Sequence, residues 1–207
     1  MAFQYCKKLQ QVTLGNNVAT IGDEAFYSCE QLKQISIPES VTDIGAGAFG
    51  KCPALTAITV AEGNTAYCSD GGILFSKDKT TLVQYPAGKP ETSYAIPAGV
   101  TAVENSAFSY CKTLAAVTIP ESVTSIGNKA LAVCTSLTEI TVPDGVTRIG
   151  DYTFYNCTAL TKVTLGSGVT SIGEQAFYLC NGITEMTVDA TVPPTVEENA
   201  FYSVSKN

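Results

Sequence analysis

Ala25-Phe26-Tyr27-Ser28-Cys29 returns as Ala107-Phe108-Ser109-Tyr110-Cys111 and again as Ala176-Phe177-Tyr178-Leu179-Cys180. This recurrence decides the fold. Seven of the cysteines, Cys6, Cys29, Cys52, Cys111, Cys134, Cys157 and Cys180, are spaced 23 residues apart, with one interval of 59. Self-similarity at a fixed period of this size marks a repeat array. Since 59 is 23 plus 36, one enlarged unit lies in the middle.

Other words repeat around the cysteines. Three residues past each comes Leu9, Leu32, Leu55, Leu114, Leu137, Leu160 or Ile183. An alternating stretch follows, such as Ile35-Ser36-Ile37 or Val117-Thr118-Ile119, and later a Val-Thr-x-Ile-Gly turn such as Val123-Thr124-Ser125-Ile126-Gly127. Alternation is the period of a strand, so Ile35 and Ile37 face one side. Pro38 ends that strand, because proline has no N–H for a further ladder bond. Val41 and Ile44 turn a second short segment inward, and Gly45 permits the bend that follows. Ala48 and Phe49 are expected to begin a helical turn that sets Phe49 and Cys52 on one face. One such coil cannot bury its own apolar side, so the coils must stack. Stacking lays the strands in a parallel ladder, with eight rungs centred on Thr13, Ser36, Thr59, Ala95, Thr118, Thr141, Thr164 and Thr187. At about 4.8 Å per rung this makes a slab roughly 35–40 Å long.

Leu-x-x-Ile-x-Ile-Pro followed by Val-x-x-Ile-Gly-x-x-Ala-Phe-x-x-Cys resembles the BspA-like leucine-rich repeats of bacterial surface proteins. The resemblance covers nearly the whole chain. It implies an α/β leucine-rich-repeat solenoid: a right-handed coil with a parallel β ladder on one face and short helical turns or irregular coil opposite. It also implies a cell-surface or secreted location and adhesion to host proteins such as fibronectin and fibrinogen. Two places depart from the pattern, residues 61–93 and Val192-Pro193-Pro194. The chain reads as one solenoid over residues 1–207. Its opening at Ala2-Phe3 and close after Ala200-Phe201 suggest a piece cut from a longer protein.

Within the irregular insert 61–93, Ile73-Leu74-Phe75 and Leu82-Val83-Gln84-Tyr85 flank a charged tip. That spacing predicts a β-hairpin over 73–85. Lys77, Asp78 and Lys79 at the tip are candidate ligand contacts if the hairpin protrudes, since long loops on a rigid scaffold often carry function. Tolerated surface insertion is the plainer reading.

Composition excludes some partners. With 12 basic and 19 acidic side chains the net charge is −7, so no clustered basic face is expected for nucleic acid or an anionic membrane. No apolar run is long enough for a membrane-spanning helix. There is no histidine, which removes Ser-His and Cys-His pairs; with no C-x-x-C either, no metal site is expected. No Gly-rich phosphate loop or matched carboxylate pair stands out. No cofactor is implied, and an enzyme is not expected.

The cysteine ladder reads as small buried hydrophobes with free thiols, because parallel side-chain vectors do not favour the bridge dihedral. Cys68 lies outside it. Candidate binding residues lie on the strand face. One column is Thr13, Ser36, Thr59, Thr118, Thr141, Thr164 and Thr187; a second, more charged one carries Gln11, Gln34, Glu139, Lys162 and Glu185. Strand propensity alone explains threonine there, whereas the mixed second column looks like a specificity-bearing surface. A further column on the turns, Thr42, Thr101, Thr124, Thr147 and Thr170, lies beside charged residues that do not suit an ice-matched plane. Tyr5, Tyr27, Tyr110, Tyr155, Tyr178 and Tyr202 gather near the Ala-Phe words, as half-buried packing or as interaction residues. The expected function is a binding or adhesion module with a protein ligand. Carbohydrate recognition and a structural spacer are the alternatives.

Overall fold

The computed structural model describes residues 2–204; residue 1 and residues 205–207 of the array read from the sequence lie outside the described residues. The chain forms a solenoid of about 8 turns. Alternation works as the strand period demands: in Gln34–Ile37 the two isoleucines are buried while Gln34 and Ser36 are exposed. Ladders are parallel and in register, so Thr141 lies opposite Thr164, which lies opposite Thr187. One face carries Gln34–Ile37 paired with Ala57–Val60. A separate five-stranded parallel sheet holds Ser93–Ala95, Ala116–Thr118, Glu139–Val142, Lys162–Leu165 and Glu185–Val188. The Val-Thr-x-Ile words build a second set of ladders from two-residue strands such as Ser125–Ile126 and Ser171–Ile172.

The Ala-Phe segments differ from the sequence expectation. The described residues contain no helix. Each regular coil instead places two non-helical residues there, for example Glu24 and Ser28 at φ 52° and 61°, or Lys129 and Val133 at 58° and 62°. Left-handed residues cannot propagate a right-handed helix. They curl the chain so that alternate N–H groups point along the solenoid. Phe26 N–H donates to Ala48 O at 2.8 Å and Ser28 N–H to Gly50 O at 3.0 Å, while Cys29 N–H turns back to Phe26 O at 3.2 Å. A third inter-coil ladder thus replaces the i→i−4 bonds of a helix.

The core is a set of columns. Phe26 stacks on Phe49 at 5.8 Å, Tyr85 on Phe108 at 5.3 Å and Phe154 on Phe177 at 5.1 Å. Such pairs add about 0.5–1.5 kcal/mol each beyond their burial. Beside them the thiols of Cys52, Cys134, Cys157 and Cys180 each donate to the carbonyl of the core residue one coil back, at 3.0–3.2 Å. The cysteines therefore fill space and also satisfy a carbonyl that the curl leaves half-used. Cys6 differs from the other six cysteines of the column in being exposed.

The enlarged unit holds a three-stranded antiparallel meander, Tyr67–Asp70, Ile73–Ser76 and Thr81–Gln84. Its last strand then joins the second ladder, pairing in parallel with Ala102–Val103. The sequence reading placed a hairpin over the second and third strands but not the first. The first turn needs glycine: Gly72 sits at φ +80°, and a Cβ there would stand 3.0 Å from Ala57 Cβ. That close approach lets Gly72 O accept the Ile58 N–H at 2.8 Å, capping the edge of Ala57–Val60. The middle strand is buried on both faces. Leu74 joins the apolar core of the N-terminal coils, and Ile73 and Phe75 join that of the C-terminal coils. The meander is thus a wedge between two cores, its middle strand buried and its tip and first turn in solvent.

Candidate functional site

The strand-face columns divide into two settings. Thr59, Thr118, Thr141 and Thr187 are exposed on their strands, as are Ser36, Gln34, Glu139, Lys162 and Glu185; Thr164 is half-buried. Gln11 and Thr13 are exposed but lie in a segment without strand structure. In the five-stranded part the second column pairs Lys162 Nζ with Glu185 Oε1 at 2.9 Å. That exposed pair holds the Lys162 ammonium above its usual range, through its hydrogen bond to Glu185. Exposed pairs of this kind stabilise little, so these charges remain free to exchange partners.

At the other end the same face hollows. Gln11, Thr13, Gln34, Ser36 and Thr59 line one cleft of about 650 Å³. Sequence reading missed the opposite wall, which comes from the turn after the strand: Pro38, Glu39 and Ser40. The signal was present in Pro38, which ends the strand and throws the next residues sideways. Ser40 Oγ donates to Val18 O at 2.8 Å and so fixes this wall to the previous coil.

The meander tip is exposed but tied down. Asp78 Oδ1 accepts from Ser76 Oγ at 2.6 Å, Thr80 N–H at 3.0 Å and Thr80 Oγ1 at 2.9 Å. These bonds, Ser76 first, hold its carboxyl below the usual carboxylate range. Lys79 pairs with Asp70 at 2.6 Å, and Lys77 Nζ donates to Glu62 O at 3.2 Å. None of Lys77, Asp78 and Lys79 lines the strand-face cleft.

All eight cysteines are free thiols. Burial pushes Cys52 and Cys134 up to about 12, and Cys111 and Cys157 well above the ordinary thiol value. A thiol held that firmly protonated is a poor nucleophile. Cys68 is half-buried, is also raised by burial, and donates to Ser76 O at 3.2 Å. Among the described residues no group of three or more ligating side chains gathers for a metal, and no helix is long and apolar enough to cross a membrane. On the turn edge the tyrosines stack outside the core: Tyr155 on Tyr178 at 5.5 Å and Tyr178 on Tyr202 at 5.0 Å.

Parallel in-register ladders on one face, inward Leu and Ile at a 23-residue period, and curled turns opposite define a leucine-rich-repeat solenoid. The model of the BspA type leucine rich repeat region matches in 6 copies over residues 1–77 and 87–207, and the chain belongs to that family. It is similar to a leucine rich cell surface protein from Faecalibacterium prausnitzii A2-165, with 32% identity and a TM-score of 0.73 over 99% of this chain and 59% of that one. A leucine-rich repeat protein from Eubacterium ventriosum shares 27% identity, TM-score 0.70, over 91% of this chain and 63% of that one. The pneumococcal vaccine antigen PcpA shares 25% identity, TM-score 0.73, over 85% of this chain and 49% of that one. The chain thus spans from half to under two thirds of the length of these relatives. No curated protein matches the sequence.

Proposed function

We propose that this chain is a non-enzymatic binding module of a bacterial surface or secreted protein, presenting its parallel-strand face to a protein ligand. The observation that carries this reading is the cleft, which gathers Gln11, Thr13, Gln34, Ser36 and Thr59. A hollow lined by these polar strand residues suits a partner protein with one protruding element. Similarity to a protein named as a cell-surface protein supports the location.

The test is binding of the purified chain to a panel that includes fibronectin and fibrinogen, with Ser36→Arg and Thr141→Arg alongside. Saturable binding that Ser36→Arg abolishes supports the cleft, and loss in Thr141→Arg as well extends the interface along the face. Binding unaffected by either variant overturns the strand-face reading. No binding to any protein favours a spacer that holds other domains apart.

A further inference from the structure

The tyrosine column on the turn edge is broken in the middle, and the break is a pocket. Tyr27, Tyr155, Tyr178 and Tyr202 each follow the core aromatic of their coil, whereas the central coils carry Gly50, Pro86, Ser109 and Ala132 at that place. The coil at Tyr85 is also short. Leu82 pairs with Val103, and Tyr85 N–H donates to Ala107 O as Phe108 N–H donates to Ala130 O. From short strand to core aromatic that coil takes 85 − 82 = 3 residues, where the next takes 108 − 103 = 5. The missing residues are the curl that Gly47 and Ser106 form in the flanking coils, both at φ +62°. Without it, Gly47 and Ser106 meet directly, a Cβ on Gly47 lying 3.5 Å from Ser106 Oγ.

A recess of about 180 Å³ opens over this seam. Tyr27 belongs to the N-terminal coils and Tyr110, Tyr152 and Tyr155 to the C-terminal ones, so the walls come from both sides. Tyr27 Oη and Tyr110 Oη are 3.1 Å apart across the seam. One proton serves that bond, so the pair keeps a second O–H and free lone pairs for a ligand. Ser109 also lines the recess; it is 3% exposed and its Oγ has no hydrogen-bond partner. Among the described residues, buried hydroxyls without a partner are few, Ser28, Tyr85 and Ser109, and Ser109 is the one whose residue lines this recess.

The chemistry narrows the occupant. Lys51 Nζ lies 5.5 Å from the Tyr110 ring centre and Lys129 Nζ 5.7 Å from that of Tyr152, so the protein's own cations already face these rings. A cationic ligand is therefore disfavoured. Glu24 and Lys129 contribute one charge of each sign to the lining, which favours a neutral ligand. At about 180 Å³ the recess is smaller than the roughly 300 Å³ at which drug-sized sites begin, so it takes one ring. A ring with apolar C–H faces for tyrosine and hydroxyls around its edge satisfies every wall. We propose that this seam pocket binds a single neutral pyranose unit of a glycan. The site is independent of the strand face and of its protein ligand.

Saturation-transfer NMR and calorimetry on the full chain test the proposal. The probes are the methyl glycosides of glucose, galactose, mannose and N-acetylglucosamine, with phenol as control. Ala132→Tyr places in the gap the residue that the following coil carries there as Tyr155, so it fills the pocket. Ser109→Ala removes only the buried hydroxyl. At least one glycoside is expected to bind saturably in the millimolar range, as befits a single small ring. Binding should vanish in Ala132→Tyr with the unfolding midpoint unchanged. It should weaken roughly three- to tenfold in Ser109→Ala, the worth of one hydrogen bond. If no glycoside saturates, if binding survives Ala132→Tyr, or if phenol binds at least as tightly, the proposal falls. Should Ala132→Tyr unfold, the Ser109→Ala arm decides, unchanged affinity counting against the site.

Discussion

The regular coils and the enlarged central unit solve the same problem in opposite ways. In an interior coil such as that of Glu139–Val142 the strand is buried on one face and exposed on the other, and the core residues meet their equivalents one coil away. Val163 packs within one continuous core and Thr164 faces out. In the meander Ile73, Leu74 and Phe75 are buried in succession, with Leu74 in one core and its neighbours in the other. A repeat can only extend a core. A wedge with two apolar faces can end one core and begin another, and the price is a seam at the turn edge.

The largest effect should come from breaking a column inside the longer block. Phe108 is fully buried against Tyr85 and Tyr94. Phe108→Ala should destabilise by about 3–5 kcal/mol, read from the urea midpoint; an unchanged midpoint would show that this column does not carry the block. The wedge itself is probed by Leu74→Ala, with an expected loss of about 2–5 kcal/mol. Hydrogen exchange should then quicken in strands Gln34–Ile37 and Ala57–Val60 and leave Glu139–Val142 protected. Equal quickening throughout would mean that the two blocks unfold as one unit.

The thiol column offers a gentler probe. Burial raises the folded pKa of Cys52, Cys111, Cys134 and Cys157 above that of the unfolded chain, so above about pH 9 the unfolded state loses protons that the folded state keeps at these four. Stability is full below the unfolded value and falls as pH rises towards about 12 for Cys52 and Cys134. Each thiol contributes a slope of about 1.4 kcal/mol per pH unit in that window. In Cys134→Ala the slope between pH 9.5 and 11 should flatten by one thiol's share; an identical slope would show that Cys134 is not held protonated. The smallest effect belongs to the strand face. Thr141→Arg should change stability by no more than about 0.5 kcal/mol, because the position is exposed. A drop of several degrees in melting temperature would place Thr141 in packing and not on a surface.

Much of the fold was legible because a repeat writes its contacts into its spacing. Alternation in Ile35-Ser36-Ile37 assigned inward and outward residues, and the family follows from the words around the cysteines. The curl of the Ala-Phe segments was not legible. A spacing of three between Phe49 and Cys52 fits a helical turn as well as two left-handed residues, and nothing in Glu24, Lys129 or Val133 advertises positive φ as a glycine would. The cleft was half legible: the columns named its floor, while its wall depends on how Pro38-Glu39-Ser40 packs on the coil before.

Ladder partners lie about 23 residues apart, as Thr138 and Thr161 do, and a period seen in the sequence already contains that distance. Coils, core columns and the exposed threonines therefore follow from the sequence alone. Tyr27 and Tyr110 are 83 residues apart, and no period contains that number. Their meeting depends on how thick the meander wedge is and how far the shortened coil at Tyr85 draws back. Both are set by packing across the whole molecule, so the seam and its pocket exist only once the chain is folded.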